Sequence, residues 1–258
     1  MKSFTHRQLG AQILQARLGD AVELFYCSPL ADRFQGPARG GLPVLFPQFA
    51  EYGRLVKHGF ARDMDWTLLE HGANASCERL HYVLEVAQGE YPGWPHAARL
   101  ELKAQATADA VEFTLTVLNT GPNEFSFTGG LHSYFAVDDL LATQVLGLQG
   151  LKASDRYRPE FKRQDEPALS LPDSIFERLY DGGSEVELVC GQKRLRLSAS
   201  GFDQWMVWNP GRDGAQALKD LPDEDWRQFL CVEPVIVSRP VRLAPGEKFT
   251  GRLRVALA

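Results

Sequence analysis

Residues 99–117, RLELKAQATADAVEFTLTV, decide the fold. In Arg99 to Ala106 and again in Val111 to Val117, apolar and polar side chains alternate with period two. That is the pattern of a strand with one face in a core and the other in water. The cluster NTGPN at Asn119 to Asn123 follows, and its Gly and Pro stop a strand and turn the chain. The two runs are therefore predicted to form a hairpin or part of a meander.

Working outward, further strands are predicted at Ala21 to Tyr26, Leu80 to Val86, Glu185 to Cys190, Lys193 to Ser198, Trp205 to Trp208 and Phe249 to Val255. Helical periodicity is nearly absent; a short helix fits the Asp223 to Gln228 region, where acidic residues suit a helix N-terminus. Many short strands, frequent Gly/Pro turns and no βα alternation indicate an all-β, antiparallel protein, either a large sandwich or a barrel. The polar, turn-rich segment Ser154 to Asp173 is short for a linker. It reads as a surface excursion of a single domain spanning residues 1–258.

With 258 residues, 44% hydrophobic and 24% charged, the chain has the composition of an ordinary globular protein. Its net charge of -5 argues against nucleic acid or an anionic membrane as the main partner, since both call for a basic surface. The opening MKSFTHRQLGAQIL lacks the apolar core of a signal peptide, and no run reaches the ~18 apolar residues of a membrane helix. A cytoplasmic location is expected. Cys27, Cys77, Cys190 and Cys231 are scattered without metal-ligand spacing, which suits reduced thiols.

The run FLCVEPVIVSRP, Phe229 to Pro240, sets one carboxylate, Glu233, inside an apolar strand buried on both faces. Desolvation raises a carboxyl pKa and makes its anion a better proton acceptor, so Glu233 is a candidate general base. The alternative is a buried Glu held by an Arg. In TGGLHSYF, His132 follows a Gly-Gly pair that leaves room for a ligand to approach the backbone. It is a candidate general acid, or else a packed core histidine with satisfied nitrogens.

Arg39, in RGGLPVLFPQF, and His58 and Arg62, in HGFAR, gather charge and glycine in one region, with Lys57 alongside. Guanidinium groups hold phosphate bidentately; as surface residues, these cations would instead form salt bridges. Asn209 in MVWNPG is a further polar candidate, and Trp66, Trp94, Trp205 and Trp208 offer flat faces for a sugar or for the core. No HxH, HExxH, GxSxG, P-loop or GxGxxG motif is present, which speaks against zinc, serine-hydrolase, NTPase and dinucleotide chemistry. A glycosidase would need two facing carboxylates, for which Glu177 could partner Glu233.

These segments, in order RGGLPVLFPQF, HGFAR with Trp66, GGLHSYF with Val137 and Asp138, ERLY at Glu177 to Tyr180, VWNPG, and CVEP with LAPGE at Leu243 to Glu247, span most of the chain. The chain resembles the hexose-6-phosphate mutarotases (glucose-6-phosphate 1-epimerases) of the aldose 1-epimerase, galactose mutarotase-like superfamily. The resemblance implies a large antiparallel β-supersandwich, no metal and no organic cofactor. It implies Glu233 as catalytic base, His132 as catalytic acid, and Arg39, His58, Arg62, Glu177 and Asn209 as substrate contacts. A small sugar phosphate is the expected partner, and a monomer the expected state. Two departures stand out: Glu177 replaces the family's Asp, and AEYGRLVK at Ala50 to Lys57 replaces a more proline-rich loop. The rival readings are an aldose 1-epimerase of unphosphorylated sugars and a non-catalytic carbohydrate-binding β-sandwich.

Overall fold

Two large antiparallel sheets carry the architecture, with a three-stranded sheet beside them. The computed structural model describes residues 3–19 and 22–258. In the nine-stranded sheet the hairpin read from residues 99–117 is Ala98–Thr107 paired with Ala110–Asn119, and Asn119 ends it as the NTGPN cluster predicts. Its side chain secures that turn by accepting from the Gly121 N–H and donating to the carbonyls of Asn123 and Leu243. Burial alternates along both strands: Leu100, Leu102, Ala104, Val111, Phe113, Leu115 and Val117 are buried, and the residues between them are partly or fully exposed.

The predicted strands at residues 80–86, 185–190, 193–198, 205–208 and 249–255 are all present, as Cys77–Val86, Glu185–Cys190, Lys193–Ser200, Gln204–Asn209 and Lys248–Leu257. Of the run predicted at 21–26, Ala21 lies outside the described residues and the strand is only Val22–Glu23. The predicted helix is a 3₁₀ turn, Asp225–Gln228. Among the described residues no helix is long and apolar enough to cross a membrane. All four cysteines are free thiols.

The second sheet runs Lys152–Asp155, Phe176–Asp181, Gln204–Asn209, Phe229–Leu243, Phe125–Leu131 and Val44–Leu45, with Tyr134–Ala136 also paired to Phe229–Leu243. One face meets the nine-stranded sheet: Phe127 touches Phe249 at 5.6 Å, and Phe25 lies 5.5 Å from both Phe113 and Phe135. This main core extends from Phe4 to Val255. Its buried aromatic and aliphatic side chains supply the dominant stabilising term, as area removed from water.

The outer face of the second sheet has its own small apolar cluster of Leu45, Phe49, Ala50, Met206 and Val235. Loop residues 46–60 fold over it, and this explains why Phe229–Ile236 is buried on both faces, as the unbroken apolar run predicts. Past Ile236 the register jumps to Val241 opposite Phe127, an irregularity that takes in Pro240, which has no N–H to give to a ladder.

Candidate active site

Six of the seven predicted site residues line one cavity. Arg39, His58, Arg62, His132, Glu177 and Glu233 surround about 310 Å³ on the outer face of the second sheet, the size of a small-molecule site. Strand register brings the two proposed catalytic groups together. Gly130 pairs with Val235 and Tyr134 with Cys231. Across the short break between those pairs, His132 therefore falls opposite Glu233. One histidine ring nitrogen, Nδ1, lies 3.4 Å from the Glu233 carboxylate.

The Gly-Gly pair serves this approach in a way different from the one expected. A Cβ at Gly129 would sit 2.0 Å from the Leu45 carbonyl oxygen, and one at Gly130 would sit 2.4 Å from the Pro234 carbonyl oxygen. The space beside the glycines is filled by neighbouring strand backbones, not by ligand. Close strand packing, in turn, sets the spacing of His132 and Glu233.

Both groups are buried, at 7% and 1% exposure, and among the described residues His132 Nδ1 and Glu233 Oε2 have no hydrogen-bond partner. Among the described residues no arginine pairs with Glu233, so the Glu–Arg alternative raised by the sequence does not apply. Burial pushes the Glu233 carboxyl well above its usual range, with the negative charge of Glu177 adding to it. Burial also pushes His132 down, reinforced by His58, Arg62, Arg39 and Lys57. Unpartnered buried polar atoms are costly, and both side chains line the cavity. His132 further stacks on Tyr134 at 4.7 Å and 11° between planes, which fixes its ring.

His58 is held in an unusual backbone conformation, φ 69°, and its Nδ1 accepts the Ala50 N–H at 3.2 Å. That bond leaves Nε2 as the protonated nitrogen of a neutral ring. Burial, then Arg62 and Lys57, lower its pKa to about 3. Arg62 is mostly buried; its Nε has no hydrogen-bond partner and Asp63 stands 3.7 Å away. Burial would lower the Arg39 pKa, but Tyr134 and Asp220 outweigh it and hold the guanidinium charged. Lys57 reaches the same cavity while pairing with Glu51 at 3.0 Å.

Asn209 is the exception. On the Gln204–Asn209 strand, Met206 and Trp208 face the cavity, and period two turns Asn209 to the other face. It is fully buried; its amide donates to the carbonyls of Trp226 and Phe229 and its oxygen accepts the Gly211 N–H. The expectation that it contacts substrate is corrected: it ties down the Gly211 turn. Of the tryptophans, only Trp208 lines the cavity, while Trp66, Trp94 and Trp205 are core residues.

Sequence reading did not reach Tyr134, Met206, Arg156 or Asp220. Arg156, from the polar excursion, contacts Glu177 at 3.3 Å and Glu51 at 3.5 Å. Asp220 grips Arg39 from 181 residues away, a pairing without any local signal. A His132 ring nitrogen, Cys231 Sγ and a Glu233 oxygen lie within 4.8 Å of one another, a donor set that zinc accepts. An ion there would occupy the His132–Glu233 pair itself.

A paired acid and base at the centre of a polar cavity, with cations at one side, can open and reclose a sugar ring. Comparison with known proteins agrees. The Aldose 1-epimerase family model matches residues 3–256. A provisionally named glucose-6-phosphate 1-epimerase of Escherichia coli K12 is 30% identical over 89% of this chain and 78% of its own length. One of Cenchrus ciliaris, provisionally named in the same way, is 28% identical over 96% of this chain and 79% of its own. The fold matches a crystal structure from Salmonella typhimurium, provisionally named a mutarotase, with a TM-score of 0.89 at 23% identity over 98% of this chain and 86% of that one. It also matches galactose 1-epimerase from Lactobacillus acidophilus, with a TM-score of 0.76 at 10% identity over 97% of this chain and 89% of that one. The chain belongs to the aldose 1-epimerase family and has its galactose mutarotase-like β fold.

Proposed function

We propose that the protein is a mutarotase that interconverts the α and β anomers of a hexose 6-phosphate, glucose 6-phosphate being the first candidate, from within the cytoplasm. The observation that carries this reading is the buried His132–Glu233 pair facing a cavity that also receives Arg39 and Arg62.

Anomer exchange removes a proton from the C1 hydroxyl and adds one to the ring oxygen O5, which opens the ring to the aldehyde. Rotation about C1–C2 and reclosure on the opposite face, with both transfers reversed, give the other anomer. Glu233 takes the O1 proton and His132 supplies the O5 proton. The shifts of the unliganded pair favour the uncharged state, carboxylic acid beside neutral imidazole. That state holds one proton in total, as the working pair of carboxylate and imidazolium does. Moving it across 3.4 Å prepares both groups at once.

A phosphate dianion at Arg39 and Arg62 assists that move. Burial depresses His132 most, then His58, then the cations Arg62, Arg39 and Lys57; a bound dianion offsets the cations' share of that field and helps the imidazole accept the proton. This favours the phosphorylated substrate over a plain aldose. Each positioned acid or base typically contributes ~10² to 10⁴ in rate, ample for a reaction that also runs unassisted. The test is two-dimensional NMR exchange between the anomeric protons of glucose 6-phosphate, run beside free glucose. Faster exchange for the phosphate is expected; equal acceleration of both sugars would discard the phosphate site.

A further inference from the structure

Beside the acid–base pair opens a groove of about 300 Å³, which shares Arg156, Glu177 and Met206 with the central cavity. Strand register lays its floor. Glu233 pairs with Met206, Met206 with Leu179, and Leu179 with Ser154. Residues directly opposite one another point to the same face of a sheet. These four therefore form one row from the middle of the sheet to its edge strand, three inter-strand steps or about 14 Å. A single pyranose seated on Glu233 and His132 leaves the outer part of that row open.

The chemistry of the open part is mixed. Leu179 and Val237 are only partly buried and pack on the small apolar cluster that includes Met206. Ser154 ends the row, and Ser238, Arg156 and Tyr52 also line the groove; the Ser238 hydroxyl accepts from the Gln204 amide at 3.0 Å. Hydroxyl-bearing ring carbons do not need an apolar floor. A short acyl group attached through an amide does: its alkyl end covers Leu179 and Val237, and its carbonyl accepts from Arg156 or a serine hydroxyl.

The direction of the groove selects the ring position. Given the hexose 6-phosphate reading, on which this step rests, C6 points to Arg39 and Arg62. Arg39 reaches the Tyr134 hydroxyl, and Tyr134 pairs with Cys231 on the side of Phe229–Leu243 opposite Trp208 and the Met206–Leu179 row; Arg62 follows Gly59, which bridges Phe46 at the end of the Val44–Leu45 strand on that same opposite side. In a pyranose, O5 separates C5, which bears C6, from C1. With C6 toward the arginines and C1 over Glu233, C2 lies on the far side, toward Glu177 and the groove. We propose that this groove is a subsite for a substituent on C2, and that the protein acts on 2-acylamino-hexose 6-phosphates in preference to the plain hexose 6-phosphate. C2 itself is untouched by the reaction; the group adds binding energy remote from C1, which positions the ring against the acid–base pair.

The test compares kcat/KM for anomer exchange of N-acetylglucosamine 6-phosphate with that of glucose 6-phosphate. A fivefold or greater preference for the N-acetyl sugar is expected in the wild-type protein. In Val237→Trp, which sets an indole in the groove, that ratio is expected to fall at least tenfold. Acceleration of glucose 6-phosphate alone, or a ratio unmoved by Val237→Trp, overturns the subsite and leaves the hexose-phosphate mutarotase standing. Acceleration of neither sugar overturns that reading and this one together. The wild-type comparison decides without the variant, should the tryptophan disturb folding.

Discussion

Arg39 is held by Asp220: Nε lies 3.1 and 3.2 Å from the two carboxylate oxygens and Nη2 lies 3.1 Å from one of them. Only Nη1 turns to the Tyr134 hydroxyl, at 3.4 Å. A two-point grip of this kind fixes the plane of a guanidinium, so Arg39 is held in one orientation at the cavity. Tyr134 also stacks on His132, so one ring touches both Arg39 and His132.

Asp220→Asn is therefore expected to act on binding more than on chemistry. The guanidinium keeps its charge and loses its fixed plane, so KM for glucose 6-phosphate rises about five- to tenfold, on the order of 1 kcal/mol, with kcat within a factor of two. Steady-state kinetics on both anomers checks this. A fall in kcat at constant KM would mean that Asp220 acts on the acid–base pair.

His58 predicts an acid-sensitive stability. Its folded pKa of about 3 lies below the usual histidine value, so its contribution is intact above ~6.5 and is lost as the pH falls through that value toward 3. The expected slope from this group is about 1.4 kcal/mol per pH unit within that window. Asn tolerates the positive φ of this position and does not titrate. Urea unfolding of wild type and His58→Asn at a series of pH values should show the stability gap between them closing as the pH drops; a constant gap would remove His58 as the cause.

Gly130→Ala tests the close strand approach. An added Cβ 2.4 Å from the Pro234 carbonyl oxygen must push the two strands apart. Overpacking of this kind costs about 1–3 kcal/mol. Because His132 sits two residues further on, activity is expected to fall at least tenfold even under conditions where circular dichroism reports a folded protein. Full activity in a folded variant would show that the His132–Glu233 spacing does not depend on this contact.

Much of this was legible in the sequence, for identifiable reasons. Alternation at residues 99–117 and the unbroken apolar run at Phe229 were enough for an antiparallel all-β fold, because both patterns report burial directly. Glu233 stood out as a candidate because a carboxylate in such a run must be either paired or used, and the structure sets it on the cavity without an arginine partner among the described residues. His132, His58, Arg39 and Arg62 came with motifs whose order matched a family. Asn209 was misread because a motif was allowed to override period two; Met206 and Trp208 on the same strand already assign it to the other face. Asp220 and Arg156 were out of reach because their partners are distant in sequence, and long-range pairing of charged surface residues leaves no local pattern.

The central claim is that Glu233 and His132 form the acid–base pair of a mutarotase. Glu233→Gln keeps the shape of the side chain and removes its ability to take a proton. Anomeric exchange of glucose 6-phosphate and its binding by calorimetry, measured on one preparation of this variant, test the claim most directly. Exchange at the spontaneous rate with binding retained is the predicted result. Exchange as fast as wild type would contradict it.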